Sequence, residues 1–120
     1  MGDAHRFDAH RSIDARRSEI RERLAEVERR LAQLRIARSE WTDEEHDPEG
    51  FTLTHEWSRL EGSRADYAAE LIELDRAESR LAAGAYGICA VCGLPIPPAQ
   101  LELRPARTMC VACTAAATRR

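Results

Sequence analysis

From Ile13 the apolar residues recur in steps of three and four: Ile13, Ile20, Leu24, Val27, Leu31, Leu34 and Trp41. Arg17 and Arg38 occupy two positions of the same series. A second series runs Leu53, Trp57, Leu60, Arg64, Tyr67, Leu71, Leu74, Glu78, Leu81. Such spacing places one apolar stripe along a helix and is the seam pattern of a coiled coil. Between the series lies Thr42-Asp-Glu-Glu-His-Asp-Pro-Glu-Gly50, rich in turn formers and helix breakers. One narrow seam does not hold a helix in water alone, so the two helices are expected to zip into an antiparallel hairpin.

Folding about Pro48 opposes residues whose numbers sum to about 94 or 95. Leu34 then faces Leu60, Val27 faces Tyr67, Leu24 faces Leu71, Ile20 faces Leu74 and Ile13 faces Leu81. Arg17 meets Glu78 as a register-setting structural pair, and Arg38 meets Trp57 in a cation–π contact. Arg64 falls beside Leu31 with no acid opposite, so its head is expected to turn outward. Each helix of roughly thirty residues gives a length of about 40–45 Å. The expected organisation is a frayed tail over 1–12, a coiled-coil hairpin over 13–83 with a tip loop at about 42–52, and a small head over 84–120.

The head carries all four cysteines, as two matched pairs: Cys89-x-x-Cys92 and Cys110-x-x-Cys113, separated by 17 residues. This is the spacing of a four-thiolate zinc site, each pair gripping one tetrahedral ion from a tight turn. Gly93 follows the first pair, where a knuckle needs positive φ. A closed sulfur shell implies one structural Zn²⁺ and argues against zinc-activated water. Two disulfides or a redox C-x-x-C are the rival readings. The start Met-Gly-Asp-Ala-His-Arg-Phe has no apolar signal stretch, and one pair would suffice for redox work. Oxidation with zinc release stays chemically open. Leu94-Pro-Ile-Pro-Pro98 must cross between knuckles in extended or turning form, with Ile96, Leu101 and Leu103 covering the metal. The residues after Cys113 allow one or two helical turns.

Composition narrows the function. The 120 residues are 32% charged and 5% aromatic, too few bulky side chains for a large globular core. All 18 basic residues are arginine, yet the formal charge is −3, and an acidic chain does not suit duplex DNA. No apolar run reaches membrane-spanning length, so a cytoplasmic location is expected. No acid–base pair, nucleophile arrangement or phosphate-cradling loop points to an enzyme. His5, His10, His46 and His55 show no ligand spacing.

A helical hairpin followed by Tyr86-Gly87-Ile-Cys89-x-x-Cys92-Gly93, Pro95-Ile96, Leu101, Arg104-Pro105 and Cys110-x-x-Cys113 resembles the DksA/TraR zinc-finger family. The match is specific over roughly 85–113 and architectural over the hairpin. The resemblance implies a mainly α protein: an antiparallel two-helix coiled coil with a C-terminal four-cysteine finger. It also implies a bacterial transcription regulator that binds RNA polymerase, with the hairpin tip entering the secondary channel. Asp43, Glu44, Glu45, Asp47, Glu49 and Phe51 would then form the partner-binding tip. Taken alone, such an acidic cluster is equally a solvated loop.

This chain departs from the family at the tip. Two aspartates three apart, followed two residues later by alanine, are usual; here Asp47 matches, but Gly50 and Thr52 stand in the other places. The basic residues that would bind a guanosine tetraphosphate alarmone have no counterpart, and Asp66 and Glu73 occupy that stretch, so alarmone binding is not expected. The alternative reading is a zinc-stabilised coiled-coil module for another protein partner.

Overall fold

The computed structural model describes residues 7–40 and 48–119, the side chains of 48–51 excepted. Residues 1–6 of the expected tail and the tip residues Asp43, Glu44, Glu45 and Asp47, with Trp41 and His46, lie outside the described residues. The chain is mainly helical: α1 (Ala9–Glu40), α2 (Pro48–Ala82), α3 (Pro98–Leu103) and α4 (Val111–Thr118). Among the described residues, β structure is confined to a single bridge between Ile88 and Pro95. The two long helices form the antiparallel hairpin, and the charges divide between them. Helix α1 carries nine arginines against six carboxylates, whereas α2 carries eight carboxylates against four arginines.

Two helix starts differ from the seam-based boundaries. Helix α1 begins at Ala9, four residues before the first seam residue, so residues 9–12 of the expected frayed tail are helical. The Asp8 carboxylate accepts the Arg11 backbone N–H at 3.1 Å, and the Ser12 N–H reaches the Asp8 carbonyl. This side-chain cap satisfies donors that the helix itself leaves open. Helix α2 begins at Pro48, inside the expected 42–52 loop. Proline suits a first helical position because its missing N–H has no partner to lose there.

Two compact units divide the chain: Glu19–Leu71, and Met1–Ser18 together with Ile72–Arg120. In the first, Leu31, Leu34 and Leu60 are buried as one cluster, with Val27, Leu53 and Trp57 packed against it. Leu34 and Leu60 thus share the cluster that the folding rule assigns them. Arg30 grips Glu56 with two hydrogen bonds, of 2.9 and 3.0 Å. The bonded Arg30 guanidinium holds the Glu56 carboxyl below its ordinary value. Arg64 turns to Glu61 on its own helix at 2.9 Å.

The cation over Trp57 is Arg35, at 5.7 Å from the ring centroid, and not Arg38. A seam identifies which face of a helix points inward. It does not fix which long arginine beside that face reaches a ring across it.

In the second unit, Arg17 reaches across helices. Its guanidinium donates to Asp14, Asp75 and Glu78, each at 3.1 Å. The Arg17 side chain is only 12% exposed although the acids remain largely solvated. Its stem therefore packs as an apolar residue while its head bridges the helices. At the C-terminus of α2, Gly84 adopts φ 75° and the Ala85 N–H returns to the Arg80 carbonyl at 2.8 Å. That left-handed residue ends the helix and turns the chain into the head.

Substitution separates packing from charge in the Glu19–Leu71 unit. Leu34→Ala is expected to cost about 2–4 kcal/mol in urea unfolding followed by circular dichroism. Arg30→Ala should cost clearly less, because the pair stays partly exposed to solvent. The depressed Glu56 carboxyl contributes stability present above about pH 4.5 and lost as pH falls through its lower folded value. Glu56→Gln should accordingly flatten the acid limb of the pH–stability curve.

Candidate metal centre

Local backbone chemistry builds the first knuckle. The Cys89 N–H donates to the Leu94 carbonyl at 2.9 Å, and the Gly93 N–H returns to the Cys89 carbonyl at 2.9 Å. Gly93 sits at φ 74° with nothing within 4 Å of where a Cβ would stand. The turn therefore needs glycine for its backbone angle and not for space. The Ile96 N–H closes the ribbon on the Gly87 carbonyl at 2.7 Å.

The second pair is built differently from the tight turn expected. Cys110 precedes α4 as its N-cap, in extended conformation, and Cys113 lies in the first turn of that helix. Helix α4 thus begins at Val111, before the tail that was expected to supply it. An N-terminal helix end favours thiolate over thiol through its unpaired N–H groups. One of those groups, the Val111 N–H, is taken by the Gln100 side-chain oxygen from α3 at 2.9 Å. The Ala90 N–H donates to the Thr108 carbonyl at 2.8 Å and ties the first knuckle to the approach of the second.

These elements bring all four sulfurs within 4.8 Å of one another. Cys92 Sγ lies 4.0 Å from Cys110 Sγ. A tetrahedron with metal–sulfur bonds of about 2.3 Å has edges of about 3.8 Å, so the cluster suits one zinc ion. The electrostatics agree. Backbone N–H groups of Cys92 and Cys110, at 3.5 and 3.4 Å, hold the Cys89 thiol down at about 6. Sharing with the Cys110 sulfur and burial push Cys113 up to about 12. Four crowded thiols cannot all ionise unaided, and a divalent ion at their centre removes that conflict.

The shell around the cluster is small. Cys89, Ile96 and Leu101 are buried, with Phe7, Tyr86, Met109, Cys110 and Cys113 packed against them. Leu103 is not a cover: it is exposed, because residues two apart on a short helix face different ways and Leu101 takes the inner face. The Tyr86 hydroxyl donates to the Pro105 carbonyl at 2.8 Å, and the Arg107 guanidinium to the Met109 carbonyl at 3.0 Å. Arg80 reaches the Ala106 carbonyl at 3.4 Å. Arg107 thus braces the chain beside Cys110 rather than standing free.

Of the residues expected to act together, the four cysteines converge, and so do Arg17 and Glu78. Glu49 and Phe51 fall in the first turn of α2 by backbone, their side chains outside the described residues. Gln100 and Phe7 were not legible from the sequence. Gln100 serves a helix end eleven positions away, and Phe7 packs on a ring 79 positions away.

The purified protein should carry one zinc per chain by elemental mass spectrometry. Cys89→Ser and Cys113→Ser should each lose stoichiometric metal. Gly93→Ala leaves every ligand in place but strains the turn by about 1–2 kcal/mol. It should weaken zinc binding by about tenfold in competition with a chromophoric chelator.

Comparison with known proteins agrees with this geometry. The family described as prokaryotic dksA/traR C4-type zinc finger matches residues 84–119. No curated protein matches the chain. Among solved structures, the chain is similar to the transcription factor DksA2 from Pseudomonas aeruginosa, with a TM-score of 0.52 and 22% sequence identity. That match covers 91% of this chain and 84% of DksA2, and at such identity it speaks to fold. Residues 84–119, which hold all four cysteines, thus match the prokaryotic dksA/traR C4-type zinc finger, and the fold of the chain is similar to that of DksA2.

Proposed function

We propose that this protein is a transcription regulator that binds RNA polymerase without reading DNA sequence. In this reading the segment between α1 and α2 enters the polymerase secondary channel and alters initiation. The observation that carries it is a pairing: a DksA/TraR-type zinc finger on a two-helix fold similar to that of a transcription factor. The protein works by binding and not by covalent chemistry, with zinc holding shape. Asp43, Glu44, Glu45 and Asp47, with Glu49 in the first turn of α2, make the tip negative, and such a tip perturbs basic or metal-dependent elements near it. Among the described residues no helix is long and apolar enough to cross a membrane. The cytoplasm, where polymerase works, is the proposed location. Alarmone binding forms no part of this reading.

A second reading is favoured by one observation. Gly50 and Thr52 stand where the family carries an acid and an alanine. A hairpin that keeps its zinc-closed head but has lost that tip chemistry suits a different protein partner.

Biolayer interferometry of zinc-loaded protein against bacterial core RNA polymerase tests the proposal, and saturable binding is expected. Replacing Asp43, Glu44, Glu45 and Asp47 together by alanine should cost less than about tenfold in affinity while abolishing the effect on transcription in vitro. Absence of binding by the zinc-loaded protein rejects the polymerase reading. Binding with no transcriptional effect from the unsubstituted protein favours the second.

A further inference from the structure

Phe7 lies just before the capping residue of α1, yet its ring belongs to the zinc head. It stacks on Tyr86 with ring centroids 6.2 Å apart and planes 5° from parallel. Both rings pack against the buried Cys89, Ile96 and Leu101 cluster, beside Met109, Cys110 and Cys113. Tyr86 is fixed by its hydroxyl, which donates to the Pro105 carbonyl at 2.8 Å. The platform under Phe7 is therefore assembled from both sides of the metal cluster: Tyr86 before the first knuckle, Pro105 and Met109 before the second. A cluster of three buried side chains, with Pro105 buried beside it, is too small a core to hold these segments together without the ion. One residue on, Asp8 caps α1 through the Arg11 N–H. The cap and the platform are thus joined in sequence.

We infer that the zinc-closed head clamps the N-terminal segment through Phe7, so that metal loss releases Phe7 and frays the first turn of α1. Zinc occupancy is then reported at the N-terminus as a change in accessibility. Opening of this kind exposes backbone to proteases in proportion to the population of the open form. The inference rests on zinc at the four cysteines and not on the polymerase reading, so failure of polymerase binding leaves it standing.

The test is limited proteolysis of the full chain, before and after zinc is stripped and the chelator removed, with metal content measured in both samples. Chymotryptic cleavage after Phe7 and tryptic cleavage after Arg11, followed by mass spectrometry, should each rise about tenfold or more on stripping. Cleavage after Arg29 and Arg30, in the Glu19–Leu71 unit, should change by less than about threefold. Phe7→Ala, at saturating zinc, should raise cleavage after Arg11 to a similar extent with its single ion retained. Phe7→Leu, which keeps an apolar contact, should fall between. Equal cleavage after Phe7 and Arg11 with and without zinc overturns the inference, as does a Phe7→Ala protein no more labile at Arg11 than the parent. A protein that carries no zinc when purified also overturns it.

Discussion

Attraction between four thiolates and one divalent ion is the interaction on which the head depends. Among the described residues after Gly84 just Cys89, Ile96, Leu101 and Pro105 are buried, and one of those four is itself a metal ligand. Hydrophobic burial on that scale does not offset the entropy of ordering three dozen residues. Hydrogen bonds close each knuckle locally, but few of them join one knuckle to the other. Across that divide stand the Ala90–Thr108 backbone bond, the Cys110 N–H to the Cys89 sulfur, and the shared ion. The ion also settles the protonation conflict that leaves Cys89 low and Cys113 high without it.

The hairpin rests on different physics. Its stability comes from a narrow apolar seam flanked by helices of opposite charge, with Arg17 and Arg30 as the cross-helix bridges. Arg17 shows why arginine intrudes on a seam. Its stem fills the interior position, and its planar head serves three carboxylates at the rim. A lysine, with its single ammonium, would not reach three partners arranged in this way. The two parts of the molecule thus respond to different conditions: the head to metal, the seam to substitutions that remove apolar volume.

Much of this was legible in the sequence, for identifiable reasons. The two C-x-x-C pairs dictate ligand geometry directly, and the three-and-four spacing dictates which helix faces pair. Arg17 and Glu78 followed because both stand on the seam itself. The errors lie where a side chain's reach or a long-range contact decides. Arg35 displaces Arg38 over Trp57 because a flexible stem selects its own ring. Leu103, expected over the metal, is exposed because α3 turns Leu101 inward in its place. Phe7 gave no signal, since an isolated aromatic before a charged helix start does not disclose what it packs on. The second knuckle looked like a repeat of the first, yet proves to be a helix N-terminus capped from α3 by Gln100.

Amide hydrogen exchange with and without zinc tests the central claim most directly. Amides of Cys89, Ala90, Gly93 and Ile96, bonded within the zinc-closed head, should be protected in the metal-loaded protein and lose that protection when the ion is withdrawn. Amides of α1 and α2 between Glu19 and Leu71 should stay protected in both states. Undiminished protection of the head amides in metal-free protein would contradict the account, because the fold of that segment would then be shown to need no ion.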